Sequence, residues 1–586
     1  MDEKPKSIWK KTIRLPQLLL VWLGLMVVAI VIFVAIMLVI NTPFEIYWLA
    51  IIGAASATVL LAGWIFVRWL CCWRNLKRSL FALACCATLV ALFYAEENWR
   101  GKRAWENYKR EWAAKGEKFN LSDFVPPPVS DDQNFALTPI VFTSYGQLLT
   151  RDGKMIPPEQ RDTNFVNRLS MEITDYGYGK NEPTNHGDWA MGKTSDLKGW
   201  QNYYRALAAT TNEFPIATQP QTPAQDVLLA LSKYDPAVEE LRNASQLSYS
   251  RFPLEYDKEN PAAILLPHLA ALKRTSQMLQ LRAAAELQNG QTEKSFDDIM
   301  LSLRLADSVR TEPIIITHLV RIAILEITLQ PIYEGLAEHR WSDTQLAALG
   351  VELAKLNFPE DYEFSVRSER AFDGKIIDYL EQKRSRYRQF FGMVSNDGEI
   401  QGVTQDFFGT VGIYLMPKGW FEQNKIVLAR LQQRNLGIVD AANQTASPKL
   451  TQQVETAFGS ALRPVPFNCF ARLLLPSLGS YAKRIARGQT AVNLARVAIA
   501  LERHRLARGE FPESLDALAP QFLEKIPHDV IGGQPLKYRR TGDGQFVLYS
   551  IGWNEKDDGG VVVFKKNSSA AVDSSQGDWV WRYPQK

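Results

Sequence analysis

Cysteine is scarce: five residues in a chain of 586, too few for a disulfide scaffold. Four of them form the adjacent pairs Cys71–Cys72 and Cys85–Cys86, in or beside apolar segments. Neighbours on a helix point about 100° apart, so neither pair makes a chelate, and both read as small apolar residues. Cys469 stands alone. An excess of one charge is also lacking. The 67 basic and 63 acidic side chains leave a net +4, no electrostatic footprint for nucleic acid, and no nucleic-acid partner is expected. Histidine is rare, with His186, His268, His318, His339, His504 and His528. None forms an H-E-x-x-H or other tight zinc spacing, and G-x-S-x-G and Walker A sequences are missing. Asp175–Glu182 holds two of three dinucleotide-fold glycines without a strand–helix context. Hydrophobic residues at 46% and charged residues at 22% exclude a disordered chain. The length exceeds what one core usually supports.

Long apolar runs are what the chain does have, and they crowd its start. Leu18–Ile40, Tyr47–Val67 and Ser79–Ala95 are uncharged runs of 23, 21 and 17 residues, the last at the lower limit for crossing a bilayer. A backbone in hydrocarbon must satisfy its own hydrogen bonds, so three transmembrane helices are expected within a membrane domain of residues 1–95. The first run is too long for a cleaved signal peptide. Lys4, Lys6, Lys10, Lys11 and Arg14 precede it, loop 41–46 has no basic residue, and Arg68, Arg74, Lys77 and Arg78 fill the next loop. The positive-inside rule then places the N-terminus in the cytoplasm and the bulk of the chain outside it, although Arg100, Lys102 and Arg103 follow the third run.

Residues 96–139 read as a polar juxtamembrane helix stopped near Gly116, then a linker stiffened by Pro126–Pro128. Residues 140–223 show scattered Gly, Asn and Pro and no sustained period, which predicts loops and short strands. Residues 224–475 alternate helical periods with Asn, Gly, Pro and Ser punctuation, predicting an αα-hairpin array without a strict repeat. Asn289–Gly290 ends one helix, Thr292 caps the next and Ser342 caps a third. His268 and His318 fall in apolar helices and read as hydrogen-bonded core residues. Asp297–Asp298 reads as a water-facing pair, and Arg304, Arg310 and Arg321 with Glu312 and Glu326 as interhelical ion pairs.

Residues 477–586 begin with a long helix ending at Gly509 and continue with two alternating segments, Leu536–Tyr538 and Phe546–Ile551, around a turn at Thr541–Gly544. The order Ala500–Leu518 (ALERHRLARGEFPESLDAL), Gln521–Asp529 (QFLEKIPHD), Gly532–Arg540 and Phe546–Gly560 (FVLYSIGWNEKDDGG) resembles the periplasmic domain of type II secretion major pseudopilins. The likeness covers about one sixth of the chain. In that family a loop after the Tyr-Ser-x-Gly strand binds calcium. The resemblance implies a Ca²⁺ site at Asn554, Asp557 and Asp558, with Asp578 as a further oxygen donor, although Lys556 lies inside the loop. Pseudopilins carry one membrane helix joined directly to this domain, and here three apolar runs lie far upstream. Segments such as Ser250–Ala270 and Glu312–Ile324 also resemble parts of large, uncharacterised bacterial membrane-anchored proteins, a likeness that brings no known activity.

The expected protein is therefore mainly α: N-terminal transmembrane helices, an extracytoplasmic αα-hairpin array and a small C-terminal α+β pseudopilin-like module. The expected setting is the bacterial inner membrane. Membrane lipid and protein partners of the cell envelope are the expected contacts, and binding or scaffolding in envelope or secretion-related assembly is the expected role. The alternative is an exported membrane-anchored hydrolase with its site in residues 140–260. A transporter or sensor is a third reading, disfavoured because the three spans carry no internal ionisable residue.

Overall fold

The computed structural model describes residues 15–40, 46–70, 73–152, 154–162, 165–175, 183, 186–387, 390, 412–461, 467–474, 478–566 and 568–584. The first five basic residues, loop 41–45, Cys71–Cys72, residues 176–182 of the glycine-bearing stretch and residues 391–411 within the expected helical array lie outside these. The chain divides into two compact units, Met1–Trp99 and Arg100–Lys586.

The first unit is built from α1 (Leu15–Ile40), α2 (Ile46–Leu70) and the beginning of α3 (Trp73–Ala113). α1 and α2 pack together. Their contact uses the small residues of α2: a Cβ on Gly53 would lie 2.6 Å from the Ile30 side chain, and Ala57 is fully buried. Small residues let two apolar helices approach closely where no hydrophobic drive separates lipid from protein. The Trp22 indole donates to Thr58 Oγ1 at 3.1 Å, while Thr58 donates back to the Ala54 carbonyl.

Among the described residues, four helices are long and apolar enough to cross a membrane: Leu15–Ala35, Ile51–Trp69, Trp73–Ala113 and Ile315–Ala337. Burial separates them. The most apolar windows of the first three are 0%, 11% and 0% buried, and that of the fourth is 61% buried. The fourth therefore spends its apolar surface on a protein core. α3 runs without interruption from Trp73 to Ala113, because no proline interrupts the sequence and Gly101 alone does not stop a helix. The helix ends at Ala113, and Gly116 takes a left-handed φ of +89°, the backbone that an L side chain adopts only with strain.

The second unit is mainly helical. Its helices are α4 (Pro139–Phe142), α5 (Leu197–Leu207), α6 (Pro223–Leu231), α7 (Asp235–Ala244), α8 (Pro267–Gln288), α9 (Thr292–Ser308), α10 (Ile315–Ala337), α11 (Asp343–Ala354), α12 (Phe358–Gln382), α13 (Lys418–Leu436), α14 (Pro448–Ala461), α15 (Cys469–Leu474) and α16 (Leu478–Arg508). Local chemistry sets their ends. Ser342 and Gln345 form a capping box on α11, as do Thr222 and Gln225 on α6; each satisfies backbone donors that a helix start leaves open. Asn289 follows α8 as expected, but the N-cap of α9 is Gln291, one residue before Thr292.

Two hydrophobic cores fill this unit. One joins Phe135, Tyr145, Trp200, Tyr203 and Tyr204 of the first half to α6, α7 and one side of α8, α9 and α10. The described residues of 140–223 are thus packed, with α5 as their longest helix and isolated bridges such as Leu149–Met155 where strands were expected. The other core runs from α10, α11, α12 and α13 into the C-terminal segment. α16 is its axis. It contacts α10, α11, α12 and the C-terminal strands and buries Ala482, Ala486, Ala495 and Ala498 among larger side chains. One core therefore serves both the helical array and the last hundred residues.

Among the described residues, seven strands form three antiparallel sheets. β1 (Val439–Asp440) pairs β2 (Thr445–Ala446). β3 (Lys537–Arg540), β4 (Phe546–Ser550) and β7 (Trp579–Arg582) form a sheet in that order. β5 (Val562–Lys565) pairs β6 (Ser568–Gly577). The expected hairpin is β3–β4, turning through Gly544 at φ +77°. β5 to β7 were not expected: Val572 to Gly577 is rich in Ser and Asp, and β7 is recognised only by its packing, with Trp581 fully buried against Trp189 and Tyr333.

The lower part of α3 lies on α13, where Trp105 and Tyr108 pack with Ile426 and Ala429. A Cβ on Gly101 would stand 2.2 Å from the Gly419 carbonyl oxygen, a clash with backbone that no rotamer relieves. Gly101→Val is expected to destabilise this unit by about 1–3 kcal/mol, read as a lower chemical-denaturation midpoint. An unchanged midpoint would show that the two helices part without loss.

Candidate binding groove

The second unit holds a groove of about 1140 Å³. Five segments distant in sequence wall it: the end of α3, the linker at Val125–Val129, the loop at Arg251–Asp257, and the facing sides of α12 and of α13. Each is fixed by polar contacts. Arg370 of α12 pairs with Glu117, donates to the Lys118 carbonyl at 3.0 Å and stacks on Phe119, which ties down the chain leaving α3. Asn134 bonds the backbone of Arg251 twice, accepting from its N–H at 2.8 Å and donating to its carbonyl at 2.9 Å. Arg251 Nε then donates to the Pro126 carbonyl at 3.0 Å, so the proline segment is held by a side chain it cannot hold with its own N–H groups.

Charges of both signs line the groove, and most are matched. Lys425 lies 2.7 Å from both Asp378 and Glu422, with its ammonium 5.2 Å from the Trp105 ring centre. Burial opposes its charge, but the two carboxylates hold it above the usual lysine range. Burial also raises Glu422, against the pull of Lys425. Glu106 pairs with Lys109, Asp131 with Arg151 and Asp152 with Lys154. Arg251 and Lys375 differ: their side chains donate to backbone carbonyls, Lys375 Nζ to that of Tyr256 at 2.8 Å. Desolvation lowers Lys375, offset in part by Asp257. Gly374, one helical residue earlier, would meet nothing within 4 Å if it carried a Cβ.

The residues expected to ligate calcium lie in the loop between β4 and β5. Asn554 Nδ2 donates to Asp558 Oδ2 at 2.8 Å. Asp557 accepts from the Tyr549 hydroxyl at 3.0 Å and the Gly559 N–H at 3.1 Å, and Lys537 lies 3.4 Å from it. Asp578 turns its carboxylate to the N–H groups of Asp558, Gly560 and Val561, clasping the loop from β7. Among the described residues no group of three or more His, Cys, Asp and Glu side chains is arranged to hold a metal ion.

Asp529 is the second clasp. It is 1% exposed and accepts from the Ile531 N–H at 2.9 Å, the Ser550 hydroxyl at 2.7 Å and the Ile551 N–H at 3.0 Å. Burial raises its carboxyl and these donors oppose the rise. Asp529→Ala leaves three buried donors without an acceptor and is expected to cost about 3 kcal/mol or more. A denaturation loss below about 1 kcal/mol would show that water replaces the carboxylate.

Away from the groove, buried polar groups are linked in networks, although single atoms such as His318 Nδ1 and Arg321 Nε have no hydrogen-bond partner among the described residues. His268 is fully buried, stacked between Tyr145 and Phe252; one ring nitrogen meets the Tyr145 hydroxyl and the other Glu312 at 2.9 Å. Glu312 also accepts from Thr317, and its carbonyl meets His318 at 3.0 Å. Both histidines are hydrogen-bonded core residues, as expected. Burial, together with the nearby Arg321, lowers His318 to about 3 and keeps it neutral. Two of the expected charges form ion pairs with other partners, Arg321 with Asp361 and Glu326 with Arg487, while Glu312 hydrogen-bonds His268. Asp297 is exposed as expected, but Asp298 is fully buried, because the inward stripe of α9 passes through Ser295, Asp298, Ser302 and Leu305.

Sequence reading missed the groove because no local motif encodes it: Tyr256 and Lys375 are 119 residues apart. The one local signal was the proline run, which marked a linker without saying what it lies against. No protein family, curated protein or solved structure matches the chain.

Proposed function

We propose that this chain is a multi-pass membrane protein whose larger unit binds and positions a partner or ligand. It sits outside the cytoplasm of a bacterial cell, with the N-terminus inside. The observation that carries the reading is the groove. Its volume is of the order of a ligand site, and its walls come from five segments held by ion pairs and backbone hydrogen bonds, so a shaped surface exists before anything binds. The exposed apolar faces of α1, α2 and the start of α3 support membrane insertion. The likeness of the last hundred residues to pseudopilins supports an envelope or secretion-related setting, with protein partners there.

Two experiments test this. A photo-crosslinking amino acid at Asp257, at the groove edge, is expected to give a defined adduct in cells, while one at the exposed Glu293 of α9 gives none. A reporter active only outside the cytoplasm, fused at the C-terminus, is expected to give signal. No adduct at Asp257, with hydrolase turnover abolished by changes within residues 140–260, would transfer the reading to the membrane-anchored hydrolase. A silent reporter would remove the envelope setting.

A further inference from the structure

The charge pattern of the groove narrows what it accepts. At the end near α3, Lys425 already bridges Asp378 and Glu422 over the Trp105 ring; the site carries its own cation there. The carboxylates Glu106, Asp131 and Asp152 are likewise matched by Lys109, Arg151 and Lys154. At the middle, Arg251 and Lys375 line the same cavity, and among the described residues their side chains reach only carbonyl oxygens. Arg251 commits one of its five N–H donors and Lys375 one of its three in these bonds. A carbonyl is a weaker partner for a cation than a carboxylate or phosphate oxygen. Asp257, the one lining acid with no ion-pair partner among the described residues, is exposed and offsets the desolvation of Lys375 only in part. The surrounding walls are apolar: Pro126, Pro127, Pro128, Pro253 and Leu254.

We infer that the groove binds an oxyanion, a carboxylate or phosphate carried on an apolar body, with Arg251 and Lys375 holding the anionic head and the proline-rich walls holding the body. This rests on the groove being the binding site of the larger unit.

The test uses the full chain in phosphatidylcholine nanodiscs and four probes sharing one body: 4-phenylbutyrate, 4-phenylbutyl phosphate, 4-phenylbutyramide and 4-phenylbutylammonium. Binding is read by calorimetry against empty discs. One or both anions are expected to bind, at least tenfold tighter than the amide and the ammonium, and comparison of the two anions decides between carboxylate and phosphate. Lys375→Met and Arg251→Gln are each expected to weaken anion binding tenfold or more. Gly374→Leu, which places a side chain into open space on a helix that tolerates it, is expected to abolish it while leaving the melting temperature unchanged or raised. Equal binding of amide and anion, lost only in Gly374→Leu, would overturn the oxyanion assignment and keep the groove as a site. Binding of no probe would overturn the assignment too. If Gly374→Leu also leaves the Asp257 crosslink unchanged, the groove itself fails.

Discussion

Asp298→Ala is expected to destabilise the Arg100–Lys586 unit by about 3–5 kcal/mol, while Glu286→Gln, a few ångströms away in the same network, is expected to cost little at neutral pH. The two acids share one cation. Arg282 Nε lies 2.9 Å from Asp298 Oδ2 and 3.4 Å from Glu286 Oε1; Asp298 also accepts from Arg242 at 2.8 Å, and Arg282 reaches Asp235 at 3.0 Å. Burial raises Asp298 against the pull of both arginines, and with two cations on it Asp298 is the member of the pair that carries the charge. Burial raises Glu286, with the charge of Asp298 adding to the rise, so Glu286 is the member that holds the proton. Removing Asp298 takes from Arg282, whose side chain is 9% exposed, its closest buried carboxylate and leaves it Asp235 at the surface and Glu286 at 3.4 Å. Removing the proton-bearing Glu286 strands nothing, because the amide of glutamine replaces a neutral carboxyl. The double variant is the sharper measurement. Without Asp298, Glu286 loses the neighbour that keeps it protonated and takes over the charge of Arg282. With both acids gone that rescue is impossible, so the combined loss is expected to exceed the sum of the single losses by 1 kcal/mol or more. Additive losses would show that the two carboxyls do not exchange roles.

This network also shows how far the sequence could be read. The helices of residues 224–475 were legible because capping and apolar period are local signals, as at Ser342 and at Asn289–Gly290. The β3–β4 hairpin was legible because its alternation and turn lie within fifteen residues. Asp298 was not. An acid beside another acid near a helix start reads as surface, and only the arrival of Arg242 from α7 and Arg282 from α8 makes a buried position tolerable. The same holds for the groove, whose cations come from a loop and a helix more than a hundred residues apart. Strands β5 to β7 escaped because Ser- and Asp-rich segments carry little intrinsic strand preference; Asp578 and the packing of Trp581 hold them in place instead. Apolar length misleads in the other direction: α10 is apolar enough to span a bilayer, and only its burial assigns it to the core.

The stability of the same unit is expected to fall as pH rises from about 5 to about 8, and Glu369 and Asp373 of α12 are expected to carry a measurable part of that fall. The two acids are one helical turn apart, on the same face. Burial raises Glu369 to about 7, opposed by a hydrogen bond from the Ile315 N–H. Burial raises Asp373 well above its ordinary range, with the charge of Glu369 adding and the Gln432 amide, donating at 2.8 Å, opposing. A carboxyl whose folded value lies above its unfolded value binds its proton more tightly in the folded state. Its contribution is therefore complete below the unfolded value near 4.5 and is lost as pH climbs through the folded value. Glu369→Gln removes the ionisation and keeps an acceptor for Ile315; Asp373→Asn keeps the acceptor for Gln432. Relative to the parent protein, each variant is expected to gain stability with rising pH, Glu369→Gln by on the order of 2 kcal/mol between pH 5 and pH 8. At pH 4 the difference should be small and pH-independent. Chemical denaturation at four or five pH values decides it: a Glu369→Gln difference that stays flat across this range would mean that the carboxyl is hydrated and titrates as it does in the unfolded chain.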